Sequence, residues 1–170
     1  LNFGSFQNLV GGAGTDSFVL SGGTLSGSIN GGLGSNTLTG DNAGDTFTIS
    51  SLNGGQVTSG ATTLVASFSS IQNLTGGTGN DVFALNGNGA VSGLVNGGGS
   101  SGNTLSYAAS TLSPVVVNLA AGTATGTGGI VNIQDIIGTS GATLVGSNGN
   151  TNWDINGLDQ GTLTIVSSGT

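Results

Sequence analysis

Phe6-Gln-Asn-Leu-Val-Gly-Gly-Ala-Gly-Thr-Asp-Ser-Phe-Val-Leu20 returns 65 positions later as Ile71-Gln-Asn-Leu-Thr-Gly-Gly-Thr-Gly-Asn-Asp-Val-Phe-Ala-Leu85, with nine of the 15 aligned residues identical. A degenerate third copy opens at Ile133-Gln134-Asp135-Ile136-Ile137-Gly138. A second internal likeness spans 106 positions. Gly40, Asn42, Phe47, Ile49, Leu52, Gly55 and Val57 align with Gly146, Asn148, Trp153, Ile155, Leu158, Gly161 and Leu163. A third joins Leu25-Ser-Gly-Ser-Ile-Asn-Gly-Gly32 to Val91-Ser-Gly-Leu-Val-Asn-Gly-Gly98. The long unit is therefore about 106 residues, and Ser106 to Val145 has no counterpart in the first copy. Self-similarity on this scale is the signature of stacked repeat architectures.

A finer beat runs inside the units. Apolar anchors fall at Leu9, Phe18, Ile29, Leu38, Phe47, Val57, Leu64, Leu74, Phe83, Val95 and Leu105, mostly nine to eleven residues apart. Around several of them apolar and polar residues alternate, as in Phe47-Thr48-Ile49, which is the period of a strand with one buried face. The gaps are Gly, Asn, Ser and Thr, the residues of tight turns. Gly is too dense for helices. Short strands at a fixed step predict an all-β chain wound as a single-stranded parallel β-helix (β-solenoid), with about 8–9 coils of roughly 18–22 residues. Coils about 4.8 Å apart would make a rod on the order of 40 Å long. The expected organisation is one continuous unit over 1–170, a segment of a longer repeat protein, with repeats starting near Phe6, Ile71 and Ile133. A β-sandwich is the alternative, though it does not require in-register internal repeats.

Composition excludes whole classes of function. The 170 residues include no Lys, Arg, His, Cys or Met, and all seven acidic residues are Asp, giving a net charge of −7. A polyanion without cations cannot neutralise phosphates, so no nucleic-acid partner is expected. Nor can it adhere electrostatically to anionic lipid, and no apolar run is long enough for a membrane-spanning helix. An enzyme is not expected: the only carboxylate pair close in sequence is Asp41/Asp45, which reads as two turn residues rather than a glycosidase dyad. Hydrophobic residues make up 35 % and mean hydropathy is +0.25, which argues for a packed core rather than disorder. Lacking Lys and Arg, the chain offers no trypsin-type cleavage site.

Gly11-Gly-Ala-Gly-Thr-Asp-Ser-Phe-Val19 and Gly76-Gly-Thr-Gly-Asn-Asp-Val-Phe-Ala84 fit the nonapeptide Gly-Gly-x-Gly-x-Asp-x-(large apolar)-x. They resemble the RTX β-roll, and Gly31-Gly-Leu-Gly-Ser-Asn-Thr-Leu-Thr39 is a version with Asn36 in place of Asp. More widely, stretches such as Val115-Val-Val-Asn-Leu-Ala-Ala-Gly-Thr-Ala-Thr-Gly resemble the β-strand repeat regions of giant bacterial adhesins and filamentous-haemagglutinin-like exoproteins. The RTX likeness implies Ca²⁺ between Gly-rich turns, with Asp16, Asn36, Asp81 and Asn103 as its metal candidates. The turns are isolated rather than tandem, so the favoured reading is that Asp16 and Asp81 only accept turn N–H groups. Asp41 and Asp45 align with Ser147 and Thr151, so the opposite edge is not expected to maintain a site.

Two other features have simple readings. Trp153 takes the slot of Phe47, which predicts core packing rather than a sugar-stacking platform. Thr37/Thr39, Thr46/Thr48 and Thr162/Thr164 do not recur at every coil, so an ice-binding array is a minor alternative. Asn73-Leu74-Thr75 matches a glycosylation sequon but lies in the repeated strand, so it reads as structural. The adhesin likeness implies a non-catalytic structural module of an extracellular or cell-surface fibre or adhesin stalk. Its partner would be a further copy of itself, stacked end to end; the pattern names no host ligand. The competing class is a Ca²⁺-dependent RTX module of a secreted protein.

Overall fold

The computed structural model of the chain describes residues 1–166; the last four positions of the expected 1–170 unit lie outside the described residues. All regular elements among the described residues are β-strands. The first four are short: β1 (Leu9–Val10), β2 (Ser17–Val19), β3 (Leu25–Asn30) and β4 (Thr37–Thr39). Three longer strands follow: β5 (Asp45–Ser51), β6 (Gly54–Ser59) and β7 (Thr62–Ser69). Short strands then resume with β8 (Asn73–Thr75), β9 (Val82–Leu85), β10 (Leu94–Asn96) and β11 (Thr104–Ser106). After them come β12 (Val116–Asn118), β13 (Thr123–Ala124), β14 (Gly129–Val131), β15 (Asp135–Ile137) and β16 (Thr143–Val145). A long hairpin, β17 (Asn150–Gly157) and β18 (Gln160–Val166), ends the described chain.

The strands form several sheets, and most pairs are parallel. One sheet has the order β1-β3-β7-β6-β5-β9-β11-β15 and a second β14-β10-β8-β4-β2; two smaller sheets are β13-β12-β16 and β17-β18. The short strands visit the two large sheets alternately, each pairing in parallel with one from an earlier or later pass. Register is kept residue for residue between the short parallel strands, while β3–β7 and the β5–β6–β7 pairings carry bulges. In the five-stranded sheet Phe18, Leu38, Leu74, Val95 and Ile130 stand in one row. In the eight-stranded sheet Val65, Val57, Phe47, Phe83, Leu105 and Ile136 form the facing row. Leu38, Leu74, Val95, Val57, Phe47, Phe83 and Leu105 have no exposure at all. Each such side chain contributes about 1.5–3 kcal/mol by leaving water. Phe47 and Phe83 stack with centroids 4.9 Å apart and planes 11° off parallel, a geometry worth about 0.5–1.5 kcal/mol beyond burial.

This arrangement shows what the 65-residue repeat does. β1, β2, β3 and β4 correspond to β8, β9, β10 and β11, and every counterpart lies in the opposite sheet. Five alternations separate β1 from β8, and an odd number exchanges the sheets. Repeated residues therefore line opposite walls of one core, which explains why both walls carry the same Leu and Phe positions.

The expected uniform step is corrected in the middle of the chain. Val57 and Leu64 are not successive steps of a parallel coil; β5, β6 and β7 form an antiparallel meander within one sheet. The physical cause is the turn chemistry. Leu52-Asn53 closes a two-residue turn with Asn53 at φ 56°, and Gly60 turns at φ 55°; these left-handed positions favour tight reversals over crossings to the other sheet. The meander and the segment carrying β12–β14 lengthen some passes, so parallel partners lie 20 to 40 residues apart rather than 18–22 throughout.

Candidate functional site

Two side-chain ladders run along the turns that feed the two large sheets. Before the five-stranded sheet, Asp16 N–H donates to Asn36 Oδ1 at 2.9 Å, and Asn36 N–H donates to Gln72 Oε1 at 2.7 Å. Before the eight-stranded sheet, Asp45 N–H donates to Asp81 Oδ1 at 2.8 Å, Asp81 N–H to Asn103 Oδ1 at 2.9 Å, and Asn103 N–H to Gln134 Oε1 at 3.0 Å. Each rung ties a backbone N–H at the strand's start to the side chain one pass further on. Burial here makes the pairing compulsory: Asn36, Asp45, Asp81 and Asn103 are all inaccessible.

The four metal candidates thus fall into two groups, Asp16 with Asn36 and Asp81 with Asn103, one on each ladder. Apart from Asp16 Oδ1, their side-chain oxygens are engaged by N–H groups. Asp81 Oδ2 also accepts from Gly77 N–H at 3.0 Å, and Asp16 Oδ2 accepts from Gly12 N–H at 2.9 Å. The Asn36 amide donates to Leu33 O and Ser70 O, and the Asn103 amide to Ser100 O and Asn132 O. Among the described residues no three His, Cys, Asp or Glu side chains gather as a metal cluster.

Asp45 departs from its sequence reading as a solvated turn residue. It is fully buried, its Oδ2 accepts from Asp41 N–H at 2.7 Å, and its Oδ1 has no partner. Burial pushes its carboxyl above the ordinary value, partly offset by the Asp41 N–H, and the Asp41 charge adds to the rise. Asp81 is raised for the same leading reason, with Asp45 and Asp41 as like charges nearby. The signal available in the sequence was the 36-residue spacing of Asp45 and Asp81. It was hidden by the meander, which lengthens that pass.

The stack's two ends form the other notable surface. Among the described residues β1 and β2 each have one neighbour, leaving one edge of each free. At the far end β15, β16 and β17 also keep free edges. A groove of about 1010 Å³ opens there, lined by Val115, Val117, Ile136 and Leu144 among others. No family model, curated protein or solved structure matches the chain. Its reading rests on its own geometry.

Trp153 is a second correction. It occupies the same hairpin position as Phe47, pairing with Leu163 as Phe47 pairs with Val57. It is nevertheless 46 % exposed, whereas Phe47 is fully buried. Phe47 is covered because β9 lies beside β5; among the described residues β17 pairs only with β18.

Proposed function

We propose that the chain is a β-solenoid segment serving as a non-catalytic structural module of an extracellular or cell-surface fibre or adhesin stalk, with copies stacked end to end. One observation carries this reading. Successive passes pair in parallel with their apolar rows in register, while strand edges stay open at both ends of the stack. Open edges and a cut core are costly in water and are templates for further strands. A column with two such faces is best satisfied by more of the same column.

The composition supports the setting. A surface of Ser, Thr, Asn and Gly with no Lys or Arg is wettable without presenting basic cleavage sites. The ladders tie each turn to the next pass through side-chain hydrogen bonds, which suits a stiff spacer. Electron microscopy and fibre diffraction of the concentrated protein test the proposal. Filaments with a meridional spacing of about 4.8 Å are expected. A monodisperse, compact particle at every concentration would refute it.

A further inference from the structure

We infer that the β16–β17 end of one chain docks on the β1–β2 end of a second copy in a single register, the one already built inside the chain between β4–β5 and β8–β9. The inference rests on the fibre reading and specifies its joint. Inside the chain, β4 pairs with β8 through Leu38 and Leu74, and β5 pairs with β9 through Phe47 and Phe83. Adding 106 to the first member of each pair gives Leu144 of β16 and Trp153 of β17. Subtracting 65 from the second gives Leu9 of β1 and Phe18 of β2. Among the described residues all four strands have a free edge: β1 and β2 end the two large sheets on one side, and β16 and β17 lie in the small sheets that follow the other terminal strands, β14 and β15.

Each half of the interior joint is found again, unfilled, at the matching end. Phe47 stacks on Phe83; Trp153 stands 46 % exposed and Phe18 only half-buried. Asp81 Oδ1 accepts from Asp45 N–H. Its counterpart Asp16 receives Gly12 N–H on Oδ2, leaving Oδ1 for the counterpart donor, Thr151 N–H. The most specific sign is at two glycines. A Cβ on Gly77 or Gly79 would collide with the carbonyls of Asp41 and Ala43, so the turn of one pass is nested against the glycines of the next. Gly12 and Gly14 repeat Gly77 and Gly79, yet nothing lies within 4 Å of where their Cβ atoms would be. They are shaped for a turn that none of the described residues supplies. Ser147 to Gly149, equivalent to Asp41 to Ala43, is that turn on a second copy.

The two-residue turn of the terminal hairpin supports the equivalence, since Asn53 and Asp159 share φ 56° at positions 106 apart. So does the approach to β1, where Ser5 and Ser70 both adopt left-handed φ at positions 65 apart.

The test uses the absence of native cysteine. Asp154→Cys and Val19→Cys chains are mixed and oxidised; these positions correspond to Thr48 and Ala84, which face each other across β5 and β9. Directly paired residues on neighbouring strands lie within disulfide reach. An intrachain control, T48C/A84C, closes on the interior joint. The expected result is a covalent dimer from the matched mixture and none from Asp154→Cys mixed with Ser17→Cys. Adding Gly12→Ala and Gly14→Ala to the Val19→Cys chain should lower dimer yield at least about tenfold, since an unrelieved backbone overlap cannot repack. The monomer's melting temperature should not move, because both sites are open. Emission from the sole tryptophan, Trp153, should shift to the blue with concentration in the wild type but not in the alanine variant. If the control closes and the matched mixture stays monomeric, the joint is wrong. Filaments in that sample would overturn the register while sparing the fibre reading; no filaments would overturn both.

Discussion

Replacing Asp81 by Ala and by Asn should give opposite results. In the native chain Asp81 Oδ1 and Oδ2 accept the N–H groups of Asp45 and Gly77 at 2.8 and 3.0 Å, out of contact with water. Alanine leaves both donors without a partner. At about 1–3 kcal/mol for each buried orphan, the loss is about 2–6 kcal/mol. Removing a carboxylate that burial and two like charges disfavour offsets part of it, so about 2–4 kcal/mol is expected. Asparagine keeps the oxygen facing Asp45. Its amide also gains an acceptor. The Asp81 carboxylate and Gly97 O both border the Cβ position of Gly76, as the Asn103 amide and Asn132 O, which are hydrogen-bonded, border that of Gly97, and the Asn36 amide and Ser70 O that of Gly31. Asp81→Asn therefore loses the Gly77 bond and gains one to Gly97 O, and should stay within about 1 kcal/mol of wild type at pH 7.

The pH dependence separates the two further. Asp81 and Asp45 have carboxyls raised in the folded state. Their contribution to stability is present below the ordinary carboxylate value of 3.8 and is lost as pH rises through the higher folded values. Urea midpoints of the wild type should thus fall between mildly acidic and neutral pH, and the slope should shrink in Asp81→Asn and more so with Asp45→Asn added. Urea titrations followed by far-UV circular dichroism at several pH values read both effects. An alanine variant as stable as the asparagine variant, or a wild-type midpoint that rises with pH through this window, would refute the ladder account.

Three further outcomes follow from the same packing. Leu74→Ala should cost about 2–5 kcal/mol in a urea titration, since it opens a cavity at the centre of the five-stranded row. Gly79→Ala should cost more than the 1–3 kcal/mol of ordinary overpacking, or prevent folding, because the atom it meets is the Ala43 backbone carbonyl; circular dichroism and yield report it. Adding Ca²⁺ or chelator should leave the β spectrum and melting temperature unchanged, because Asp81, Asn36 and Asn103 already spend their side chains on backbone groups. A melting temperature that drops in chelator would restore the RTX-like reading of those residues.

The strand content and the core were legible because burial enforces a period. Leu38, Leu74, Val95 and Leu105 each sit inward at the middle of a three-residue strand, Phe47 and Phe83 sit inward in longer ones, and their spacing announced it. The pairing of Asp16 with Asn36 was legible for the same reason, as their 20-residue offset is one uninterrupted pass. What the spacing concealed was the reversal at Leu52-Asn53. A strand that turns back within its sheet and one that crosses to the next present the same apolar beat; the turn geometry alone tells them apart. The Asp45–Asp81 rung lies beyond that reversal and was lost with it.

Trp153 shows the limit of reasoning from internal likeness. Equivalent position in a repeat predicts equivalent backbone, and the two hairpins do share register, bulge and turn. It does not predict equivalent burial, because burial belongs to the neighbour. Phe47 is in the core only through Phe83, and the residue that repeats Phe83 near the other end of the stack is Phe18. Under the proposed joint, the exposed aromatic at one end and the uncrowded glycine pair at the other would be two halves of the same contact. The sequence reading of Trp153 as a core residue fails in the single chain, and only under the proposed joint would a strand of the next copy cover it.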